Sequence, residues 1–203
     1  MLEERGTPAP ESRLPQVHAR EIVGVIEKIT QTQQRLGDKS DDWVATVLFD
    51  ETYAQRDGAI ERLDNPSFVP KTTSEWVVSG PQIGVGTPFY QSCNTKCQTH
   101  RAFSDIDVTE IDDGFLPRSV YRPDNKNEFE AGIPKYNDKP ATQFYRFSTR
   151  RFVATNTERT VPSVVLPPNV THINVLLSLM FNSDLDVVTF AACTASLLSL
   201  IHI

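Results

Sequence analysis

The sequence predicts an α+β fold of short strands, long loops and a few helices, closed by a C-terminal helix. Segments rich in β-forming residues recur along the 203 residues, and 14 Pro and 9 Gly punctuate the stretches between them. An uncharged apolar run of helical length ends the chain. The first two observations indicate short strands joined by irregular connections, and the third indicates the final helix.

The first part of the chain predicts an arm, a helix and a strand. Residues 1–20 are polar and contain several Pro, which predicts a flexible arm or linker before one α+β domain or fragment over 21–203. Glu21–Ile29 places apolar residues at helical spacing, although Gly24 weakens this helix. Trp43–Phe49 is rich in β-forming residues and predicts a strand.

The middle of the chain predicts short strands and then a long irregular region. Trp76–Val78 and Ile83–Val85 have the composition of strands, and Asp105–Ile111 alternates apolar and polar residues as a half-buried strand does. Residues 112–140 contain four Pro and many charges, which is typical of a functional loop or a linker. Residues 112–160 are therefore predicted to contain a long basic loop region.

The last part of the chain predicts a helix, two apolar segments and a final helix. Tyr145–Val153 is predicted to be helical. Thr160–Leu166 predicts a strand at a sheet edge, because Pro162 cannot donate a ladder hydrogen bond. Ile173–Phe181 is an apolar strand or helix, and the final helix begins at Leu185.

Composition excludes several classes of protein. The hydrophobic share of 39% is too high for a disordered chain, and three Cys are too few for a disulfide scaffold. The odd Cys count and the absence of an apolar signal segment near Met1 predict a reducing, cytoplasmic location. The net charge of −6 argues against a stand-alone nucleic-acid-binding protein. Residues 187–203 are uncharged but contain Ser, Thr and His, which favours a buried helix over a membrane span.

Two groups of residues have the chemistry of metal or catalytic sites but lack a complete set. Cys93, Cys97 and His100 offer three zinc ligands without a fourth nearby, so ordinary thiols in a polar loop are the preferred interpretation. His172 could activate Ser163 only if the fold brings them together, and the chain has no G-x-S-x-G motif. We therefore predict no catalytic and no metal-binding residues.

Two further patterns have simple structural explanations. The glycines of 80–86 fit neither the dinucleotide nor the P-loop template, and they predict a tight turn. The acidic residues of 105–113 could bind a hard cation, but a solvated strand face also accounts for them.

The distribution of charge is more informative than the total. Residues 117–160 contain nine basic and five acidic residues, a net charge of +4, and aromatic residues are interleaved with the bases. Cations for phosphates and rings for bases are what a nucleic-acid contact requires. The alternative is a solvated surface in which Arg150 and Arg151, on the predicted helix, pair with the acidic strand. The predicted DNA-contacting residues are Arg118, Tyr121, Arg122, Lys126, Lys135, Arg146, Arg150 and Arg151.

Five phrases of the sequence carry a family resemblance. They are ETYAQRDGAI (51–60), SGPQIGVGTPFYQS (79–92), DIDVTEIDDGFLPRSVYRP (105–123), FYRFSTRRFVATNTERTVPSVVLPPNVTHIN (144–174) and DVVTFAACTASLL (186–198). In this order they resemble the C-terminal part of large bacterial adenine-N6 DNA methyltransferases. These are enzymes of the type IIG restriction-modification and phage-defence kind, related to the BREX and DISARM methylases.

The resemblance implies that the chemistry lies elsewhere in a longer protein. Enzymes of this kind transfer a methyl group from S-adenosylmethionine to a flipped-out adenine held by an [N/D/S]-P-P-[Y/F/W] motif. Here Leu166 stands before Pro167-Pro168 where the hydrogen-bond acceptor is required, and Asn169 replaces the aromatic residue. The chain is thus expected to be an incomplete domain that is inactive alone and holds no cofactor. S-adenosylmethionine would bind to the full-length protein.

Two hypotheses follow for the chain itself. The first is a DNA-contacting fragment that grips double-stranded DNA beside the catalytic domain of the same parent protein, with no membrane association. The alternative is a structural or protein-interaction module that makes no DNA contact, which the acidic net charge favours.

Overall fold

The computed structural model describes residues 23–25, 27–28, 31, 36–65, 68–99, 101–153 and 161–195, and it confirms the predicted α+β class. The α-helices are α1 (Glu51–Arg56), α2 (Lys126–Ala131) and α3 (Asp184–Ala195). Short 3-10 turns lie at Leu36–Asp42, Thr73–Glu75, Gly80–Gln82 and Ala141–Gln143. The strands are β1 (Trp43–Thr46), β2 (Ile60–Arg62), β3 (Val77–Val78), β4 (Gln91–Cys93), β5 (Phe103–Asp105), β6 (Tyr121–Pro123), β7 (Lys135–Tyr136), β8 (Lys139–Pro140), β9 (Arg146–Arg150), β10 (Ser163–Leu166), β11 (Thr171–His172) and β12 (Leu176–Phe181).

The first sheet is antiparallel and has the strand order β1-β12-β9-β10. Side chains alternate between its two faces, so Phe147 and its neighbour Leu179 point to one side. Helix α3 covers that side through Val187 and Phe190, and the Phe190 ring lies 4.8 Å from that of Phe147. The final helix predicted from Leu185 onward is confirmed, but the prediction that it is buried is wrong for its described part. Only Val187 is buried there, and Leu185 and Val188 are exposed.

The second sheet is mixed and has the strand order β11-β3-β6-β2. Strands β11 and β3 run parallel, whereas β6 is antiparallel to both β3 and β2. The inner faces of the two sheets share an apolar cluster, in which Trp76 and Val78 meet Val164, Leu166 and Leu176. Two hairpins, β4–β5 and β7–β8, extend from the sheets.

Helix α1 begins after a strong cap. The Asp50 carboxylate accepts hydrogen bonds from the backbone N–H groups of Thr52 and Tyr53, which satisfies donors that would otherwise be orphaned. A turn at Asp57-Gly58 follows the helix, and Gly58 has a φ of 75° there. This turn carries the chain directly into β2.

Three predicted strands are confirmed, among them Trp76–Val78, which contains β3, and a fourth is not. Trp43–Phe49 contains β1, with Phe49 forming an isolated bridge to Ile173. Thr160–Leu166 contains β10, which lies at the edge of the first sheet as predicted from Pro162. Ile83–Val85 is not a strand, because the Ile83 N–H bonds back to the Gly80 carbonyl and continues the 3-10 turn.

The prediction of a helix over Tyr145–Val153 is wrong, because the segment forms β9 between β12 and β10. Arg146 and Ser148 face the second sheet while Phe147 faces α3, so the alternation of period two decides the structure. Ile173–Phe181, left open between strand and helix, contains β12.

The strand predicted over Asp105–Ile111 is also wrong beyond its first residue. Strand β5 ends at Asp105, and the Asp107 carboxylate accepts hydrogen bonds from the backbone N–H and the hydroxyl of Thr109. This local turn competes with strand pairing. The basic region 112–160 is not one long loop, since β6, α2, β7, β8 and β9 lie within it.

Two other predictions concern the ends of the chain. The predicted arm at 1–20 lies outside the described residues, as do 196–203 and part of the predicted Glu21–Ile29 helix. Within the described ranges, every helix is too short or too polar to cross a bilayer.

Candidate functional site

A cleft of about 910 Å³ opens beside the second sheet. Its floor includes β2 and β6, and its walls come from the start of α1, the β4–β5 hairpin, the 3-10 turn at Gly80–Gln82 and the end of β9. Because these elements are far apart in the sequence, the cleft brings together side chains that no local motif connects.

The floor of the cleft is set by the pairing of β2 with β6. Arg62 lies opposite Tyr121, and Glu61 lies opposite Arg122. Since side chains alternate along a strand, Arg62 and Tyr121 share the cleft face, whereas Glu61 and Arg122 share the other. Arg122 is therefore directed away from the cleft, and its Nη2 lies 2.6 Å from Oε2 of Glu61 in an exposed ion pair.

Arg62 and Tyr121 supply polar groups to this floor. The Arg62 Nη2 donates to the Gln98 carbonyl at 2.9 Å, which ties β2 to the β4–β5 hairpin. Burial raises the pKa of the Tyr121 hydroxyl, the nearby Arg62 charge lowers it, and Glu51 and Cys97 raise it further. The phenol thus stays neutral at physiological pH and can either donate or accept a hydrogen bond.

Arg150 closes the opposite wall. Its Nη2 donates to the carbonyls of Pro81 and Ile83, so the side chain clamps the 3-10 turn. The turn is also held from within, because the Gln82 Oε1 accepts from the Ser79 backbone N–H at 2.8 Å. The Nε of Arg150 is buried without a hydrogen-bond partner among the described residues. Burial lowers the pKa of this guanidinium, while proximity to Tyr90 raises it.

Glu51 supplies the negative charge at the cleft. It is the first residue of α1, directly after the Asp50 cap, and this position fixes where its side chain emerges. Its Oε2 is buried and has no hydrogen-bond partner among the described residues. The cleft therefore contains both an unsatisfied acceptor at Glu51 and an unsatisfied donor at Arg150.

Aromatic rings complete the lining. Phe103 comes from β5, and Phe152 follows β9 with 71% of its surface exposed. The Arg151 guanidinium lies 5.5 Å from the centroid of the Phe152 ring and donates to the Asn174 carbonyl at 3.0 Å. A cation over an exposed ring forms a stacking surface at the edge of the cleft.

The structure does not bring the eight predicted DNA-contacting residues together. Tyr121 and Arg150 line the cleft, and Arg151 lies beside it. Arg146 has no exposed surface, and its Nη2 donates to the Val170 carbonyl between the sheets. The other four lie outside the cleft lining: Arg118, Arg122, Lys126 and Lys135.

Three of these outlying residues differ in environment. Arg118 is half-buried, and its carbonyl accepts from the Cys93 thiol at 3.3 Å. Lys126 lies 3.8 Å from Glu130 in an exposed pair one helical turn away. Lys135 is exposed on the β7–β8 hairpin. The predicted pairing of Arg150 and Arg151 with the acidic residues of 105–113 is wrong, because both arginines bond to backbone carbonyls instead.

Two of the three thiols are structural in character, whereas Cys193 is exposed on α3. Cys93 and Cys97 are buried in the core cluster beside the cleft. Burial raises the pKa of Cys93 to about 12 and also raises that of Cys97. In the described part of the chain no group of three metal-ligating side chains comes together, and His100 lies outside it.

His172 contacts Ser178 rather than Ser163. Its Nε2 lies 2.7 Å from the Ser178 Oγ, and both residues are completely buried. Burial, followed by the charge of Arg146, lowers the pKa of His172 to about 3. A neutral histidine sealed inside the core cannot reach a substrate, so its role is structural.

Sequence reasoning missed Glu51, Arg62 and Phe103 as cleft residues. Glu51 is an acidic residue in the first turn of a helix, where such residues are common, and Arg62 is one of several charged residues in a polar stretch. Only the β2–β6 register and the hairpin place them in one cleft, so no sequence signal could have found them.

Comparison of the chain with protein-family models, curated protein sequences and solved structures finds no match.

Proposed function

We propose that the chain is a DNA-contacting module and that the contact runs along the cleft and its edge. The observation that carries this proposal is the convergence of Arg62, Arg150 and Arg151 with exposed Phe152 around one open cleft. Guanidinium groups bind phosphates, and exposed rings stack on bases. Tyr121, which also lines the cleft, adds a hydroxyl that can bond to phosphate or sugar oxygens.

The charge distribution supports a confined contact. The protein as a whole carries −6, and the acidic side chains of 105–113 are exposed on the surface. Such a surface repels the DNA backbone, so that binding is restricted to the cationic edge of the cleft. The acidic surroundings thereby orient the DNA rather than exclude it.

The family resemblance extends the proposal to a parent protein. On this view the module belongs to an adenine-N6 DNA methyltransferase of restriction-modification or phage defence, whose catalytic domain binds S-adenosylmethionine and is its partner. The proposal implies a cytoplasmic location, because the DNA that such enzymes modify lies there.

A second candidate function is a protein-interaction module without DNA contact. The positions of two other side chains support it. Arg146 is buried and Arg122 is paired with Glu61, so two of the predicted cations serve the fold or a local ion pair. If the remaining cations also serve only the fold, the chain contributes a scaffold to its partner.

Salt-dependent DNA binding distinguishes the two functions. We expect the wild-type chain to bind a 30-base-pair duplex with an affinity that falls steeply with NaCl concentration, measured by fluorescence anisotropy. The Arg62→Ala/Arg151→Ala double variant should reduce the slope of log K against log [NaCl] by about 1.8, or about 0.9 per lost phosphate contact.

The matched control removes two cations that lie away from the cleft. The Lys126→Ala/Lys135→Ala variant should keep the wild-type slope, and circular dichroism should show all three proteins folded. Absence of salt-dependent binding, or an equal loss of slope in both double variants, contradicts the proposed contact surface and favours the scaffold.

A further inference from the structure

We propose that the cleft receives one unstacked nucleotide whose base carries an exocyclic amine, and that this amine donates a hydrogen bond to the Glu51 carboxylate. The inference rests on the proposed DNA contact and specifies which part of the nucleic acid enters the cleft. It also predicts a preference among bases, since thymine has no exocyclic amine.

The size of the cleft suits this ligand. Its volume of about 910 Å³ lies within the range of about 300 to 1,000 Å³ that is typical of sites for small organic ligands. The space is sufficient for a base with its sugar and phosphate. Phe152, which lines the cleft and is exposed, can stack on a base that has left its neighbours.

Two unsatisfied polar atoms indicate the chemistry of the occupant. Within the described part of the chain, Oε2 of Glu51 and Nε of Arg150 are buried beside the cleft without hydrogen-bond partners, and native structures seldom leave such groups unpaired. The terminal torsion of a Glu side chain is soft, so that a small rotation presents either oxygen to the cleft. An occupant with both a donor and an acceptor satisfies both residues.

A nucleotide carries both a hydrogen-bond donor for Glu51 and an acceptor for Arg150. Its exocyclic amine is a donor for the carboxylate, as in known contacts of Glu with cytosine, and its phosphate oxygens accept from guanidinium groups. Arg62 and Arg150 outnumber Glu51 among the charged lining residues, so the cleft is cationic within an acidic protein. The apolar side chains of Phe103 and Val175 enclose the flat faces of a base.

The experiment compares single-stranded oligonucleotides that differ in one base. The probes are a 20-nucleotide oligo-dT and the same strand with one central dT replaced by dA or dC, each measured by anisotropy. We expect the wild-type chain to bind the substituted strands about tenfold more tightly than oligo-dT, in line with the discrimination of a well-placed base contact.

Two variants test the roles of the residues. Glu51→Ala should bring the affinities for the three strands within about twofold of one another. Glu61→Ala, which removes a carboxylate from the opposite face of β2, should keep the tenfold preference. Phe152→Ala, at an exposed position that should not disturb folding, should weaken binding of all three strands by about 5-fold to 150-fold.

The outcomes separate this inference from the proposed function. If duplex binding is salt-dependent but the wild-type chain binds all three strands equally, or if Glu51→Ala keeps the preference, the nucleotide site is overturned and the DNA contact stands. If the chain binds neither duplex nor single strands, the proposed function itself is overturned.

Discussion

Nε2 of His172 lies 2.7 Å from Oγ of Ser178, which in turn lies 2.6 Å from Oγ of Ser148. The other ring nitrogen, Nδ1, lies 2.9 Å from the Ile173 carbonyl. A carbonyl can only accept, so Nδ1 carries the proton and Nε2 accepts from the Ser178 hydroxyl. This chain of hydrogen bonds joins the two sheets through a histidine that must remain neutral.

Because His172 is neutral in the folded protein, we expect the protein to lose stability in mild acid. The pKa of His172 is lowered to about 3 in the folded protein, whereas an unfolded histidine has a pKa near 6.5. Below pH 6.5 the unfolded state therefore binds a proton that the folded state does not. The free energy of unfolding should fall by up to about 1.4 kcal/mol per pH unit from about pH 6 down to about pH 3.

Urea unfolding between pH 7.5 and pH 4.5 measures this loss. The His172→Gln variant lacks the titrating group, so its free energy of unfolding should depend less steeply on pH over the same range. Equal slopes in the two proteins would show that His172 is not the group responsible.

Arg146 is a charged group sealed between the sheets near the neutral His172. It has no exposed surface, its Nε and Nη1 have no partners among the described residues, and burial lowers its pKa to about 10. Replacing a buried charge by an apolar side chain of similar volume is often neutral or stabilising. Arg146→Met should leave the free energy of unfolding unchanged or raise it, by up to about 4 kcal/mol.

The same variant separates folding from DNA contact. Because Arg146 cannot reach solvent, Arg146→Met should also leave the DNA affinity and its salt dependence unchanged. Arg146→Ala, which leaves a cavity, should unfold at a lower urea concentration than Arg146→Met. A marked destabilisation by Met would indicate that an anion pairs with this guanidinium in solution.

Gly132 provides a test of packing around the core cluster that contains Phe49 and Phe129. A Cβ at this position would lie 2.7 Å from Cε1 of Phe49, whose ring stacks on that of Phe129 with centroids 4.9 Å apart. Phe49 is buried in one core cluster with Phe129, so its ring cannot move aside freely. Gly132→Ala should therefore lower the free energy of unfolding by about 1–3 kcal/mol.

Gly37 is the matched control for this substitution. A Cβ there would meet no described atom within 4 Å, so Gly37→Ala should be neutral or stabilise by up to about 1 kcal/mol. Thermal unfolding followed by circular dichroism compares the two variants. Similar melting temperatures for both would contradict the close contact with Phe49.

The fold could be predicted from sequence where composition and segment length favoured one element. The β-forming residues of Trp43–Phe49 indicated a strand and the long uncharged apolar run after Leu185 indicated a helix, and both agree with the structure. The helix predicted over Tyr145–Val153 was wrong, since its aromatic and basic residues suit either a helix or a strand in isolation. Its pairing with β12, more than 20 residues away, determines the strand.

The cleft was beyond the reach of sequence reasoning for a related reason. Arg62 and Tyr121 meet only because β2 pairs with β6, and that register depends on the packing of the second sheet. The basic residues after 116 predicted a continuous cationic surface, but spacing along the chain does not fix which of them is buried. Arg146 and Arg150 lie on one strand and one face, yet only Arg150 reaches the cleft.

The β7–β8 hairpin contains a local turn signal in its sequence. The prediction missed it because the charged composition of 112–140 indicated an irregular loop. Its two-residue loop consists of Asn137 and Asp138, with φ angles of 48° and 60°. Positive φ at both central residues is what a type I′ turn requires, and Asn followed by Gly is the favoured pair. Asp138→Gly should therefore raise the free energy of unfolding by roughly 0.5 kcal/mol, after the entropy of the extra Gly is offset.

A β-branched residue at the same position should have the opposite effect. Asp138→Val places its branched side chain in the left-handed region and should lower the free energy of unfolding by roughly 1–2 kcal/mol. Urea unfolding of the two variants and the wild type gives the order Gly, Asp, Val from most to least stable. Because Asp138 is exposed and lies away from the cleft, all three proteins should bind DNA equally. Equal stability of the Val and Gly variants would mean that the turn does not hold this backbone conformation.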